Sequence, residues 1–151
     1  MKKIKVYLDN CTYNRPFDDQ TQIMVSLETE AKQHIQRLII EKKIDLAYSF
    51  INRFENSKSK WTLSRDTING FFRNAEFYVD YTSALNVGKR AVEIMKGNVK
   101  TKDAYHISCA IEGACDYFIT TDKQLLKHEC KKIIICSPIQ FLDYYEENKD
   151  E

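Results

Sequence analysis

Glycine and proline are scarce in this chain, which has four glycines and two prolines among 151 residues. A turn that cradles a phosphate, such as Gly-x-Gly-x-x-Gly, needs several glycines directly after a strand. The first apolar segment, residues 4–8, is followed instead by Asp9-Asn10-Cys11. A dinucleotide-binding site of the glycine-rich type is therefore excluded.

Long apolar runs and paired cysteines are also absent. No stretch approaches the roughly 18 consecutive apolar residues of a membrane-spanning helix, and the apolar segment after Met1-Lys2-Lys3 is too short for a secretory leader. The five cysteines are odd in number and include no Cys-x-x-Cys pair, which favours reduced thiols that serve as small core residues. We therefore expect a soluble, cytoplasmic protein with no membrane contact.

A large net charge of either sign is missing as well. The 23 basic and 22 acidic side chains leave a formal charge of +1, so no global field attracts a polyanion and any nucleic-acid surface must be local. The length suits one domain with a substantial core. We assign residues 1–145 to that domain and residues 146–151 to an acidic C-terminal tail.

Strand and helix patterns alternate along the chain. Short β-branched or aromatic segments predict strands, and segments with apolar residues at helical spacing predict helices between them. The predicted strands are residues 4–8, 44–48, 76–81, 117–120 and 132–136; the predicted helices are residues 21–42, 61–72, 83–97, 101–112 and 139–145, with a further helix capped by Ser49 and a loop at residues 12–19. This alternation predicts an α/β fold with three α/β/α layers: a parallel sheet of about five strands, the first in the middle, covered by helices on both faces.

The unit 101–122 carries a carboxylate near each end. Thr101 is a suitable N-cap for a helix that is rich in small and apolar residues, and Gly113 is a suitable stop. Asp103 lies in the first turn of this helix, and Asp122 follows the next strand. Because the helix runs antiparallel to that strand, we expect both acids at the edge of the sheet where the parallel strands end, called here the carboxyl edge.

Two further acids are expected at the same edge. Asp9 directly follows the first strand, and Glu55 lies on the helix capped by Ser49, about 9 Å along its axis, with its side chain leaning back toward the sheet. An acid after a strand is, taken alone, more often a turn or helix cap than a ligand. The joint placement of Asp9, Glu55, Asp103 and Asp122 favours function.

Four carboxylates that meet repel one another unless a cation lies among them. Oxygen ligands, with no cysteine or histidine at ligand spacing, favour Mg²⁺ or Mn²⁺ over Zn²⁺. Such sites bind phosphate oxygens and activate water, so the leading predicted chemistry is metal-assisted hydrolysis of a phosphodiester. A phosphatase that uses Asp9 as nucleophile would place a second Asp two residues later, where this chain has Cys11.

The chain resembles the PIN domain family in several segments that together cover nearly its whole length. These segments are Tyr7-Leu8-Asp9-Asn10-Cys11, Asn14-Arg15-Pro16-Phe17-Asp18, Phe54-Glu55-Asn56, Lys102-Asp103-Ala104-Tyr105-His106-Ile107 and Tyr117-Phe118-Ile119-Thr120-Thr121-Asp122. The opening is similar to a bacterial and archaeal subgroup with the pattern Asp-Asn-Cys-x-x-Asn-Arg-Pro-Phe-Asp.

The resemblance implies a three-layer, Rossmann-like fold and an Mg²⁺- or Mn²⁺-dependent ribonuclease that cuts single-stranded RNA. It maps the family's catalytic and metal-binding acids onto Asp9, Glu55, Asp103 and Asp122. Thr120 matches the hydroxyl residue of a Thr-x-Asp motif, Asn10 adjoins the first acid, and both are candidates to bind the substrate. The family often supplies the toxin of a toxin–antitoxin pair, which makes an antitoxin protein an expected partner.

The remaining candidates have ordinary structural interpretations beside functional ones. Arg15 and Lys102 lie near the acidic edge and are candidates to bind RNA phosphates, whereas a solvated cation is the usual role of such a residue. His106 is a candidate proton shuttle, with a hydrogen-bonded structural histidine the more frequent case. The rival function is a non-catalytic PIN-like module that binds RNA or protein. Whether the chain forms a homodimer stays open.

Overall fold

The computed structural model describes residues 2–149 and contains a five-stranded sheet in which all neighbouring strands are parallel. The strands are β1 (Lys5–Leu8), β2 (Asp45–Ser49), β3 (Phe77–Val79), β4 (Tyr117–Ile119) and β5 (Ile134–Cys136). Their spatial order is β3-β2-β1-β4-β5. The prediction of a parallel sheet with the first strand in the middle is confirmed.

Seven α-helices are found within residues 2–149. They are α1 (Asn10–Asn14), α2 (Ile23–Ile40), α3 (Phe50–Ser57), α4 (Thr62–Phe71), α5 (Ala84–Met95), α6 (Thr101–Glu112) and α7 (Pro138–Asn148). None of the helices within these residues is both long and apolar enough to span a membrane. The last helix includes three residues that the sequence assigned to an acidic tail, while Asp150 and Glu151 lie outside the described residues.

The central strand β1 is buried on both faces of the sheet, which confirms the three-layer arrangement. Val6 and Leu8 belong to a core cluster beneath α2 and α7, whereas Tyr7 belongs to the opposite cluster, with Phe118 and the apolar side of α6. Successive side chains of a strand point to opposite faces, so a central strand with helices on both sides must be apolar at every position. The short sequence Val6-Tyr7-Leu8 meets that requirement.

The predicted loop at residues 12–19 is partly helical. Asn10–Asn14 forms α1, and Arg15–Phe17 forms a 3₁₀ turn. Proline is compatible with the first turn of a helical segment because its φ is already suitable and the missing N–H has no helical partner there. Tyr13 is fully buried against Phe72, and that packing holds the segment in place.

The ends of α6 differ in detail from the prediction. Its N-cap is Lys100, so Thr101 is the first helical residue instead of the cap. At the other end the left-handed conformation falls on Ala114 (φ 56°), while Gly113 has an ordinary negative φ. Gly113 is suitable for another reason: a Cβ there would lie 3.2 Å from Cγ2 of Val79, because the helix approaches the sheet closely.

Candidate metal centre at the carboxyl edge

The ends of β1 and β2 position Asp9 and Glu55 at the carboxyl edge of the sheet. The backbone N–H of Asp9 donates to the carbonyl of Ile119 (2.9 Å), so the chain just after β1 lies beside the end of β4. Ser49 ends β2 and begins α3, where its side chain accepts a hydrogen bond from the backbone N–H of Asn52 (3.2 Å). This cap, which was predicted, sets the direction of the helix that carries Glu55.

Asp9 is almost fully buried, with 5% of its surface exposed. Its Oδ2 accepts hydrogen bonds from the hydroxyl of Thr120 (2.9 Å) and from Sγ of Cys11 (3.4 Å). Its Oδ1 lies 3.8 Å from Nε2 of His106 and accepts no hydrogen bond among residues 2–149. One oxygen of Asp9 is therefore held by the protein, and the other is directed toward the neighbouring polar groups.

Glu55 and Asp9 both lie close to Nε2 of His106. Oε1 of Glu55 accepts a 2.7 Å hydrogen bond from Nε2 of His106, and Oε2 of Glu55 lies 3.8 Å from Nζ of Lys102. Burial raises the pKa of Glu55, but the hydrogen bond and attraction of His106, with the attraction of Lys102, outweigh it and leave that pKa below its ordinary value. Glu55 is therefore ionised at neutral pH.

His106 is the last member of a buried chain of hydrogen bonds. Its Nδ1 lies 2.7 Å from the hydroxyl of Tyr7, and that hydroxyl lies 2.6 Å from Oγ of Ser49. Because an ionised carboxylate can only accept, Nε2 of His106 carries the hydrogen that Glu55 accepts. In neutral His106 the other nitrogen must then accept from Tyr7, which in turn accepts from Ser49. The chain fixes the ring and, through it, the position of the carboxylate.

A second chain of contacts fixes the start of α1 against α3. The amide of Asn52 donates to the carbonyl of Leu8 (3.2 Å) and to Oδ1 of Asn10 (2.6 Å), while the amide of Asn10 donates to the carbonyl of Asn52 (3.0 Å). Asn10, predicted to bind substrate, is 1% exposed and has these structural partners. Its candidate role in substrate binding stays a prediction.

Asp103 lies close enough to two other acids to be affected by their charge. Burial raises its pKa above the ordinary value, the charges of Asp9 and Asp122 raise it further, and His106 and Lys102 lower it by less. Like charges have this effect only at short range. Asp103 and Asp122 also line a cleft of about 600 Å³ together with lysines 100 and 127.

Asp122 has structural partners of its own. Its Oδ1 accepts from the backbone N–H groups of Gln124 (2.9 Å) and Leu125 (3.2 Å), which stabilises the turn that leads into the following 3₁₀ segment. This is the ordinary turn role considered for an acid after a strand. The hydroxyl of Thr120 links the two sides of the edge, since it accepts from the backbone N–H of Asp122 (3.1 Å) and donates to Asp9.

The structure thus divides the four predicted acids into a tight group and a flanking pair. Ligand atoms of Asp9, Glu55 and His106 all lie within 4.8 Å of one another. Asp103 and Asp122 are not members of this group, although Asp103 lies near enough to Asp9 and Asp122 for their charges to raise its pKa. Thr120 and Lys102 contact members of the tight group. Arg15 instead forms ion pairs with Asp18 (2.9 Å) and Glu28 (3.1 Å).

His106 is the member of the site that the sequence left with a mainly structural interpretation. A signal was present: His106 follows Asp103 by three residues on one helix, so the two side chains share a face. Nothing local in the sequence indicates its partners Tyr7 and Glu55, which are 99 and 51 residues away.

The donor set fits a hard divalent cation. Asp9 presents one oxygen without a hydrogen-bond partner, and Glu55, Asp103 and Asp122 bring carboxylate oxygens to the same edge, which are the ligands that Mg²⁺ and Mn²⁺ prefer. His106 completes the tight group, but its Nε2 hydrogen points to Glu55, so the ring supports a ligand in preference to acting as one.

Comparisons with known proteins identify the fold. No family model matches this chain, and no curated protein matches it in sequence. One solved structure that is similar is the crystal structure of VapBC2 from Rickettsia felis bound to a DNA fragment from their promoter. It is 16% identical, covers 87% of this chain and 97% of that chain, and has a TM-score of 0.56. This similarity supports a PIN-like fold for this chain.

Proposed function

We propose that this protein is a divalent-metal-dependent endoribonuclease that hydrolyses phosphodiester bonds in single-stranded RNA. The observation that carries the proposal is the buried carboxylate of Asp9, whose Oδ1 accepts no hydrogen bond among residues 2–149 and lies 3.8 Å from Nε2 of His106, within the tight group with Glu55. Burying an ionised group costs free energy unless a partner compensates for it. A cation held between Asp9 and Glu55 is the partner that suits this geometry.

Asp9, Glu55, Asp103 and Asp122 are the residues proposed to hold Mg²⁺ or Mn²⁺. When bound, such an ion activates a water molecule and stabilises the negative charge that develops on the scissile phosphate. In this scheme His106 holds the Glu55 carboxylate in position, and the hydroxyl of Thr120 holds Oδ2 of Asp9 so that Oδ1 stays free for the ion. The raised pKa of Asp103 is consistent with this scheme, because a bound cation would offset the repulsion between Asp103 and the neighbouring acids.

The proposed substrate class follows from the local charges at the site. Lys102 lies beside Glu55, and lysines 100 and 127 line the cleft next to Asp103 and Asp122. In a chain of nearly balanced charge these cations are a local surface for a phosphate backbone. Lys102 is 65% exposed, so its ammonium is accessible to a phosphate. Arg15 has acidic partners already and is the weaker candidate.

A toxin role within a toxin–antitoxin pair is part of the proposal. Its support is the resemblance to PIN toxins together with the structural similarity to VapBC2. Under this proposal the partner is an antitoxin protein encoded beside this chain, and the protein acts on cytoplasmic RNA. Co-purification with the product of the neighbouring reading frame tests the partner, and sedimentation of the chain alone tests a homodimer.

The test of the enzyme is cleavage of unstructured RNA with and without divalent ions. We expect no cleavage in excess chelator and recovery with Mg²⁺ or Mn²⁺. The Asp9→Asn variant should lose cleavage, whereas the matched control Asp66→Asn, which changes an exposed acid on α4, should keep it. Cleavage that persists in chelator contradicts the metal mechanism. Purified protein that cuts none of a broad panel of RNAs with either ion supports the non-catalytic binding module.

A further inference from the structure

An apolar pocket lies beside the candidate metal centre. The pocket lies between α3 and α6 and has a volume of about 460 Å³. Its lining residues are Ile51, Phe54, Glu55, Lys58, Thr101, Lys102 and Tyr105. Glu55 belongs both to this pocket and to the tight group with Asp9 and His106, so the two sites share a wall.

We propose that this pocket binds one unpaired nucleobase of the RNA substrate and so positions the strand across the carboxylates. This inference rests on the proposed function, because it assigns a subsite to the same substrate. The occupant is a base of single-stranded RNA, recognised by its aromatic face, and the flanking phosphates are recognised by the lysines at the rim.

The aromatic wall is the first argument for a nucleobase. Phe54 is 60% exposed although it is a large apolar side chain, and Tyr105 lines the other side of the pocket from α6. Proteins that recognise single strands stack unpaired bases on such rings, whereas bases within a duplex are not accessible to them. An exposed phenylalanine that adjoins a proposed RNA site is therefore suitable as a stacking platform.

The charges around the pocket are the second argument. Nζ of Lys58 lies 4.8 Å from the centroid of the Phe54 ring, and Nζ of Lys102 lies 3.8 Å from Oε2 of Glu55. A nucleotide pairs an apolar base with an anionic phosphate, and the pocket presents an apolar floor between two cations. This complementarity places the base in the pocket and its phosphates toward the lysines and the metal centre.

The size and rigidity of the pocket are the third argument. Its volume lies within the range of roughly 300–1,000 Å³ that is typical of sites for small ligands. An amphipathic helix from a partner protein would instead need a groove with anchor positions spread over two turns. The floor is preformed, because Ile51 and Tyr105 pack against the core cluster on this face of the sheet.

The test is the equilibrium binding of a short unstructured RNA to the full chain in the Asp9→Asn background, with chelator present so that the RNA stays intact. Phe54→Ala should weaken binding about 5- to 150-fold, the range expected for loss of one stacked base. The control Ile40→Ala should bind as the background does, since Ile40 is 57% exposed at the far end of α2.

A set of RNAs with one abasic nucleotide at each position in turn identifies the base. We expect one position at which removal of the base weakens binding as much as Phe54→Ala does. At that position, Phe54→Ala should add no further loss, because the two changes remove the same contact. If Phe54→Ala and removal of the base each weaken binding by their full factor at every position, the proposal is wrong. It is also wrong if the Phe54→Ala protein binds RNA normally.

The two proposals fail in distinguishable ways. If the protein cuts RNA with Mg²⁺ but Phe54→Ala and removal of a base weaken binding independently, the endoribonuclease proposal stands and the base-pocket proposal is wrong. If the protein never cuts RNA but the two changes cause the same single loss of binding, the base-pocket proposal stands and the endoribonuclease proposal is wrong. If Phe54→Ala disrupts binding of a partner protein and leaves RNA binding unchanged, the pocket is a protein-docking site and the nucleobase assignment is wrong.

Discussion

The hydroxyl of Tyr7 should stabilise the protein through His106, and Tyr7→Phe removes that hydroxyl alone. Tyr7 is fully buried and its ring stacks on Phe118 with centroids 5.5 Å apart, a contact that phenylalanine can keep. The substitution removes two hydrogen bonds, one to Oγ of Ser49 and one to Nδ1 of His106. Oγ of Ser49 retains the bond from the backbone N–H of Asn52, and its hydrogen has another acceptor in Oδ1 of Asn52 (3.5 Å). Nδ1 of His106 is therefore the atom left without a partner.

A buried polar atom that loses its partner costs about 1–3 kcal/mol of unfolding free energy. For a chain of this length each 1 kcal/mol lowers the melting temperature by roughly 2–4 °C, so Tyr7→Phe should melt roughly 2–12 °C below the parent protein. The measurement is a thermal melt in chelator at pH 7. The control is Tyr81→Phe, since Tyr81 is 75% exposed and its hydroxyl is free to bind water.

A second measurement connects the same change to the metal site. If His106 positions Glu55, then Mn²⁺ should raise the melting temperature of Tyr7→Phe by less than that of the parent, because a weaker site stabilises the folded state less at equal ion concentration. A Tyr7→Phe protein that melts with the parent and gains as much from Mn²⁺ would refute the hydrogen-bond chain as a support for the site.

Three further changes test the carboxyl edge and the end of α6. Asp9→Asn keeps shape and removes a charge, so in chelator it should melt no lower than the parent while losing the Mn²⁺-dependent gain; a lower melt with normal cleavage contradicts its role as a ligand. Asp103→Asn should gain stability relative to the parent as the pH rises from about 4 to 7, because the raised pKa of Asp103 means that folding opposes its ionisation above the unfolded pKa; the gain should vanish at lower pH, and melts across this range in chelator measure it. Ala114→Gly should raise the free energy of unfolding by about 0.5–1 kcal/mol, since Ala114 has a left-handed φ; denaturant titration that shows a loss refutes the assignment of strain there.

The sequence by itself determined the layers of the fold, the parallel sheet and the central position of its first strand. The periodicities of strands and helices are local properties, and a parallel strand–helix–strand unit has one favoured hand, so alternation along the chain restricts the sheet to few arrangements. Because the strands are parallel, their carboxyl ends all lie at one edge of the sheet. Asp9 and Asp122 were predicted there because each follows a strand, and Glu55 because its helix follows one. Asp103 was predicted there because it lies in the first turn of a helix that runs antiparallel to the next strand.

Only the tertiary structure decided how those acids are arranged with respect to one another. Their side chains come from four separate segments, and a difference of a few ångströms separates a ligand from a neighbour. The structure brings Asp9 and Glu55 together through His106 and leaves Asp103 and Asp122 beside them. Sequence spacing contains no information on such distances.

The same reason explains His106, Arg15 and the apolar pocket. His106 obtains its role from Tyr7 and Glu55, and Arg15 is engaged by Asp18 and Glu28 after the chain turns back on itself. The pocket exists because α3 and α6, which are far apart in sequence, pack with a gap beside the shared Glu55. Local patterns specify which elements form, whereas the contacts that orient a polar side chain arise from segments that meet only when the chain is folded.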